Sequence, residues 1–298
     1  MEHTEKHAIV MKLNIPFCSR HCSFCSRSVT EGRDTGLIHR YIMALALELK
    51  ANTEEFTDCQ VKAIRLGGGC ASIMSGTDFD QLIRMIRTFY DVPEGTPITM
   101  RVSPADINGA NMPFYNRCHV SRYDLEMISL EPEDFIHLDY LNYREQLPYI
   151  SSGFLRADQR AVMGFVLLYG KKTISKWGFR RSVLETVRRD VCHVLLQRCA
   201  GNDRMDDSAA QAQLKEASEL LTEHGFHEYL PNRWAKEGCE DRFWTESSAG
   251  MDILAFGLDA QTRFDGVISR NTSDLQRYLA HSGDYEKITV SVTPAAAL

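Results

Sequence analysis

Residues 8–25 read AIVMKLNIPFCSRHCSFC. The opening AIVMKLN is an apolar run of the length and composition of a buried strand, and Pro16 ends it, because proline cannot donate to a ladder. Cys18, Cys22 and Cys25 then follow within eight positions. A group of thiols therefore sits just past a strand end. The chain has nine cysteines in 298 residues. An odd set in a reducing compartment is poorly explained by disulfides, so clustered thiols read as metal ligands and scattered ones as small core residues. The scattered ones are Cys59, Cys118, Cys192, Cys199 and Cys239.

The same strand signal recurs along the chain in VKAIRL (61–66), ITMRVS (98–103), HVSRYDLEM (119–127), VMGFVLLY (162–169) and VCHVLLQR (191–198). Segments with 3.6-residue apolar spacing alternate with these runs: GLIHRYIMALALELKAN, TDFDQLIRMIRTFY, a short one near NMPFYNR, EPEDFIHLDYLNYREQL, SKWGFRRSVLETVRRD and DSAAQAQLKEASELLTEHG. The last closes on Gly225, a residue type favoured just past a helix end. Six strand-then-helix units predict parallel strands joined by right-handed crossovers, hence an α/β fold with a sheet either open and doubly wound or curled toward a barrel. In both, chemistry gathers at the C-terminal strand ends. The cysteine cluster follows the first strand and the run LGGGCAS (66–72) follows the second, so both belong to one rim.

With 44% hydrophobic and 25% charged residues the chain can build a full core. A net charge of −6 leaves no field to gather a phosphate backbone, and the pairs Lys171-Lys172, Arg180-Arg181 and Arg188-Arg189 sit among apolar residues. Nucleic acid is not an expected partner. The start MEHTEKHAIV lacks the features of a secretory leader, and no apolar stretch approaches the roughly 20 residues that span a bilayer. The expectation is a cytoplasmic protein without a membrane partner.

The spacing C-x3-C-x2-C suits a 4Fe-4S cluster better than zinc. Tetrahedral zinc asks for a fourth protein ligand at similar reach, whereas a cubane can leave one iron open. The alternatives are a zinc knuckle completed by His21 and an inert group of core thiols. Gly67, Gly68 and Gly69 strip every Cβ from the turn after the second strand, which lets backbone groups approach a ligand; a plain strand-to-helix turn would use the same residues.

The cysteine motif, with Phe24 just before the last thiol, resembles the signature of the radical S-adenosylmethionine (radical SAM) superfamily. The resemblance implies a partial (β/α)6 TIM-like barrel with a small C-terminal extension, a 4Fe-4S cluster on Cys18, Cys22 and Cys25, and SAM chelated at the open iron. One electron then cleaves SAM to a 5′-deoxyadenosyl radical, with the protein supplying position and electronics. It further implies that the glycine turn binds the amino group of the SAM methionine. From about residue 8 to about 280, IPFCSRHCSFC, RYIMALALEL, LGGGCAS, VSRYDLEMIS, LLTEHGFHEYLPNRWAKEG, GMDILAFGLDAQT and NTSDLQRYL run in the order of the oxygen-independent coproporphyrinogen III oxidase family, which includes heme-chaperone-like relatives and some radical SAM methyltransferases. In that resemblance Arg122 holds the SAM carboxylate, a pairing that suits an arginine fork; its bland alternative is a surface arginine at a strand end.

Several positions depart from the family pattern. Asn14 replaces a histidine and Lys12 a tyrosine. Arg101, followed by Val102, Ser103 and Pro104, replaces a glutamate on the third strand. Ile128 replaces a glutamine, Val166 falls near an acidic residue that would take ribose hydroxyls, and the usual Y-G-L-P-G-Q turn reads YGKKTI. The chain ends soon after Tyr278, before the C-terminal domain of complete members.

Further candidates carry plainer readings beside the chemical ones. Trp234, Phe243 and Trp244 with His224 and His227 would line a porphyrin face or a core. Asp252 and Asp259, flanking an apolar strand, would serve in acid-base chemistry or as solvated strand ends. Cys70 would be a reactive thiol near SAM or a small buried residue.

The expected organisation is a radical SAM core over residues 1–225 and a C-terminal extension over 226–298 packing on it. The expected function is hydrogen abstraction from a small-molecule substrate, as in coproporphyrinogen III oxidative decarboxylation or related tetrapyrrole chemistry, with an electron donor such as flavodoxin or ferredoxin. A heme- or cluster-binding relative without turnover, and a radical SAM methyltransferase, are the alternatives.

Overall fold

The computed structural model of the chain describes residues 6–106, 110–131, 133–134, 161–189, 191–201 and 203–295. Strand β1 (His7–Ile15) alternates as its sequence requires: Ile9, Met11, Leu13 and Ile15 enter the main core, while Val10, Lys12 and Asn14 point to the other face of the sheet. The chain continues through the two-residue strands β2 (Phe17–Cys18) and β3 (Thr30–Glu31), then β4 (Cys59–Gly68), β5 (Ile98–Val102), β6 (Val120–Ile128), β7 (Val162–Tyr169) and β8 (His193–Arg198). All six long strands match the sequence expectation within two residues at either end.

Strands β1, β4, β5, β6, β7 and β8 lie side by side in chain order, each parallel to the next. Their crossovers include helices Thr35–Ala51, Gly76–Phe89, Met112–Arg117 and Lys176–Val187, and helix Asp207–Glu223 follows β8. Asp34, Ser75, Ser175 and Asp206 cap four of these helices by accepting a backbone N–H with their side-chain oxygens, at 2.8 to 3.1 Å. The helix expected over 131–147 falls, apart from its first residues, outside the described residues.

Beyond residue 225 the chain extends both ends of this sheet. Strand β10 (Arg233–Ala235) pairs antiparallel with β8, and β9 (His227–Leu230) pairs antiparallel with β10. Strand β11 (Asp252–Phe256) lies parallel to β1, and β12 (Gln261–Phe264), β13 (Val267–Asn271) and β14 (Thr289–Pro294) continue outward as an antiparallel meander. Helix Arg242–Ser248 enters at the N-terminal ends of the strands, where Phe243 packs on Val10 and Ala63. That end is closed by apolar contact, so the open face is the rim at the C-terminal ends.

The sheet's inner face is unusually charged. Arg65, Thr99, Arg122 and Asp124 alternate with core residues of the same strands, as do Arg101 and Glu126 nearer the rim. Burial of so many charges requires that each find a partner.

Candidate functional site

Pairing of Phe17 with Thr30 and Cys18 with Glu31 draws the loop after β1 back on itself. Within it the Cys25 N–H donates to the Cys22 carbonyl at 2.9 Å, a turn that brings these two thiols to one side. Cys18 is buried, Cys22 and Cys25 are half-buried, and Phe24 is buried in the core between them, its carbonyl accepting from the Ala200 N–H past β8 at 3.3 Å. His21 is exposed.

The glycine turn closes against this loop. Gly69 N–H donates to the Ile15 carbonyl at 2.7 Å and Cys70 N–H to the Phe17 carbonyl at 3.0 Å. A Cβ on Gly69 would press on the Phe17 carbonyl oxygen and stand 2.8 Å from that of Ile15, and Gly68 holds φ at +88°, so both positions require glycine. Gly67 has open space where a Cβ would project. Gly67 and Gly68 line a cavity of about 410 Å³, while the Gly69 N–H is spent on β1.

Arg27 joins the two motifs. Its Nε donates to Cys25 Sγ at 3.3 Å, its Nη1 to the Gly68 carbonyl at 3.2 Å and its Nη2 to Glu126 Oε1 at 2.5 Å. Arg101 also pairs with Glu126 and reaches Gln197 at 2.8 Å, and the Cys70 thiol donates to Glu126 Oε2 at 3.3 Å. Burial opposes ionisation of Glu126, but the guanidiniums of Arg101 and Arg27 outweigh it and hold its pKa down at about 2. The structure thus brings together Cys18, Cys22, Cys25, Phe24 and Gly67 to Gly69.

Arg122 lies elsewhere. It is three residues before the level of the rim, 4% exposed, with its Nε on Asp124 at 3.1 Å and its Nη1 on the Cys239 carbonyl at 2.8 Å. It belongs to a buried network in which Arg65 is held by Asp241 at 2.6 Å and Asp124 at 2.8 Å. His193 contacts the Tyr229 hydroxyl there at 2.8 Å. Burial first, then the Arg122 charge, keeps His193 well below its usual pKa and so neutral. The arginines that pair with Glu126 beside the glycine turn are Arg27 and Arg101.

Other candidates are placed as follows. Trp244 faces the cavity beneath the guanidiniums of Arg233, 4.1 Å from its ring, and Arg65 at 5.3 Å. Trp234 and Phe243 are buried. His224 contacts the Leu220 carbonyl and His227 pairs with Glu240. Asp252 contacts His7, and Asp259 lines the cavity. Cys59, Cys70, Cys118 and Cys199 are buried, Cys192 and Cys239 half-buried. Arg27, Arg65, Asp124, Glu126 and Asp241 are not among the residues expected from the sequence; the signal for Asp124 and Glu126 is the every-second-residue charge in R-Y-D-L-E.

The thiols suit a group that brings positive charge. Burial, then the charges of Glu126, Cys25 and Cys18, pushes the Cys22 thiol up to about 12, so a compact trio of thiolates needs a cation among them. Among the described residues no three His, Cys, Asp or Glu side chains close on a single ion. A cubane spreads its thiolates over separate irons and asks for a wider triangle.

No family model matches the chain. It is 22% identical over 281 residues to the heme chaperone HemW of Mycobacterium tuberculosis, covering 87% of this chain and 72% of the relative. It is 21% identical over 300 residues to the oxygen-independent coproporphyrinogen III oxidase of Pseudomonas aeruginosa, covering 91% and 65%. Among solved structures it superimposes on coproporphyrinogen III oxidase (HemN) from Escherichia coli, a radical SAM enzyme, with a TM-score of 0.84 and 16% identity over 98% of this chain and 73% of that one. The fold is therefore that of the radical SAM barrel-like proteins, and no helix among the described residues is long and apolar enough to cross a membrane. With the cysteine loop and the glycine turn meeting at one rim, the chain shares its fold with HemN and is similar in sequence to the heme chaperone and coproporphyrinogen III oxidase relatives.

Proposed function

We propose that Cys18, Cys22 and Cys25 each hold one iron of a 4Fe-4S cluster, and that Phe24 with Gly67, Gly68 and Gly69 places SAM against the remaining one. The observation that carries this reading is Arg27, which touches Cys25 Sγ and the Gly68 carbonyl with one guanidinium. When bound, cluster and SAM would supply a 5′-deoxyadenosyl radical able to abstract hydrogen from a substrate C–H bond. The chain's own contribution is to fix the loop against the turn and to hold Glu126 ionised behind the site. Closing the lower end of the barrel with Phe243 leaves the rim as the way in. Arg122, read from the sequence as a SAM contact, enters this proposal as support beneath the cavity. The substrate class proposed is a tetrapyrrole, as in the coproporphyrinogen oxidases among the relatives, with a small electron-transfer protein of the flavodoxin or ferredoxin kind as donor, in the cytoplasm.

Anaerobic reconstitution followed by iron and sulfide counting tests the cluster. About four of each per chain are expected, falling steeply in Cys22→Ala; wild-type and variant proteins with equally little iron would end the proposal. Release of 5′-deoxyadenosine from reconstituted protein with SAM and dithionite tests turnover, and S-adenosylhomocysteine among the products would indicate methyl transfer.

A second reading, a heme- or cluster-carrying protein without turnover, is favoured by Lys12 and Arg101, which put positive charge into the cavity beside the glycine turn. It predicts a bound cluster and no 5′-deoxyadenosine.

A further inference from the structure

The cavity at the rim is lined by Lys12, Arg27, Arg65, Arg101, Arg233 and Arg270, and by one carboxylate, Asp259. Four of these cations have carboxylate partners. Arg27 and Arg101 share Glu126, Arg65 is held between Asp124 and Asp241, and Arg270 pairs with Asp259 at 2.6 Å. Lys12 and Arg233 make no ion pair among the described residues; Asp259 acts on Lys12, and Asp124 and Asp241 on Arg233, only from beyond contact. Arg233 lies on the Trp244 ring and leaves its Nη1 buried without a hydrogen bond. Asn14 Oδ1, on the same lining, is likewise unbonded.

We propose that this cavity is a receptor for a compact polyanion, a ligand with two or more phosphate or carboxylate groups whose oxygens are taken by Lys12 and Arg233. Lys12 comes from β1 and Arg233 from β10, with β4, β5, β6, β7 and β8 between them in the sheet, yet both reach one space. Two enclosed cations without a carboxylate in contact are costly, and a ligand that brings that contact recovers the cost on binding. The strain is visible on both: burial first, then the nearby Arg65 charge, lowers the pKa of each. A guanidinium fork takes phosphate and carboxylate oxygens alike, whereas an ammonium acts as a point charge. As a substrate class for radical chemistry the proposal rests on the function proposed above. As a binding site it does not, which separates the two failures.

The test is calorimetric titration of the full, cluster-reconstituted chain, without SAM and at low ionic strength, with inorganic pyrophosphate and separately with citrate. At least one should bind, and the one that binds identifies the acid group. Lys12→Met should weaken binding at least tenfold, about 1.4 kcal/mol, and Arg233→Gln comparably. Lys12→Met without anion should unfold at or above the wild-type temperature, because an unpaired cation has been removed, so its loss of affinity would not be a folding defect. The proposal is overturned if neither anion binds, or if both variants bind as tightly as the wild type. Absence of 5′-deoxyadenosine release with anion binding intact would count against the radical function alone.

Discussion

Arg27 donates to the carbonyl of Gly68 at 3.2 Å, across 41 residues of sequence. This bond makes the cysteine loop and the glycine turn one unit, so a change in either should be felt in the other.

Arg27→Ala removes that link and one of the two cations on Glu126. The reconstituted variant should retain markedly less iron than wild type and lose about 2 kcal/mol of stability, since the buried carboxylate keeps only Arg101 as a charge partner. Iron content after desalting and denaturant unfolding would check both, and an unchanged iron content would deny Arg27 its joining role.

Glu126→Gln goes further. It leaves Arg27 and Arg101 facing each other with no charge between them, and stability should fall by about 3–5 kcal/mol. A change below about 1 kcal/mol would show that water, rather than Glu126, satisfies the two guanidiniums.

Gly67 and Gly69 should respond oppositely to alanine. Gly69→Ala drives a methyl into two carbonyl oxygens of the chain and should cost about 1–3 kcal/mol. Gly67→Ala meets open space and should leave the melting temperature near wild type while weakening SAM, because the methyl enters the cavity. Equal melting temperatures for the two variants would contradict the geometry.

Glu48 gives the chain a pH signature. It is buried on helix Thr35–Ala51 and accepts from the Gly257 N–H at 2.8 Å, Asn271 Nδ2 at 2.6 Å and the Tyr278 hydroxyl at 2.5 Å. Burial raises its pKa to about 7 from the ordinary 4.5. A carboxyl raised in the folded state binds its proton more tightly there than in the unfolded chain. Stability should therefore rise as pH falls from about 7 toward 4.5, by up to about 3 kcal/mol from this group. Glu48→Gln should remove that part of the slope, and superimposable wild-type and variant pH profiles would refute it.

The six long strands were legible because each is an apolar or period-2 run closed by a turn residue, and the cysteine and glycine motifs were legible because their residue types have few structural uses. The charged inner face was not. In R-Y-D-L-E the alternation of Arg122, Asp124 and Glu126 is visible, but a solvent-facing strand has the same pattern; only the curl of the sheet turns that face inward. Strands β9, β10 and β12 are four residues or fewer, too short for periodicity to mark. The expectation for Arg122 comes from resemblance to a family pattern, which gives residue type but not the contacts with Asp124 and Cys239 that it makes in this chain. The position of β11 beside β1 had no local signal, because partners that far apart in sequence leave no trace in either segment.

That last pairing has a consequence for biosynthesis. Strand β1 emerges from the ribosome first, but its neighbour β11 ends only at Phe256. One edge of β1 stays bare until β11 has been made, a template for wrong pairing. Contacts of such long separation also slow folding. Newly made chains should therefore depend on chaperone cover until β11 has emerged.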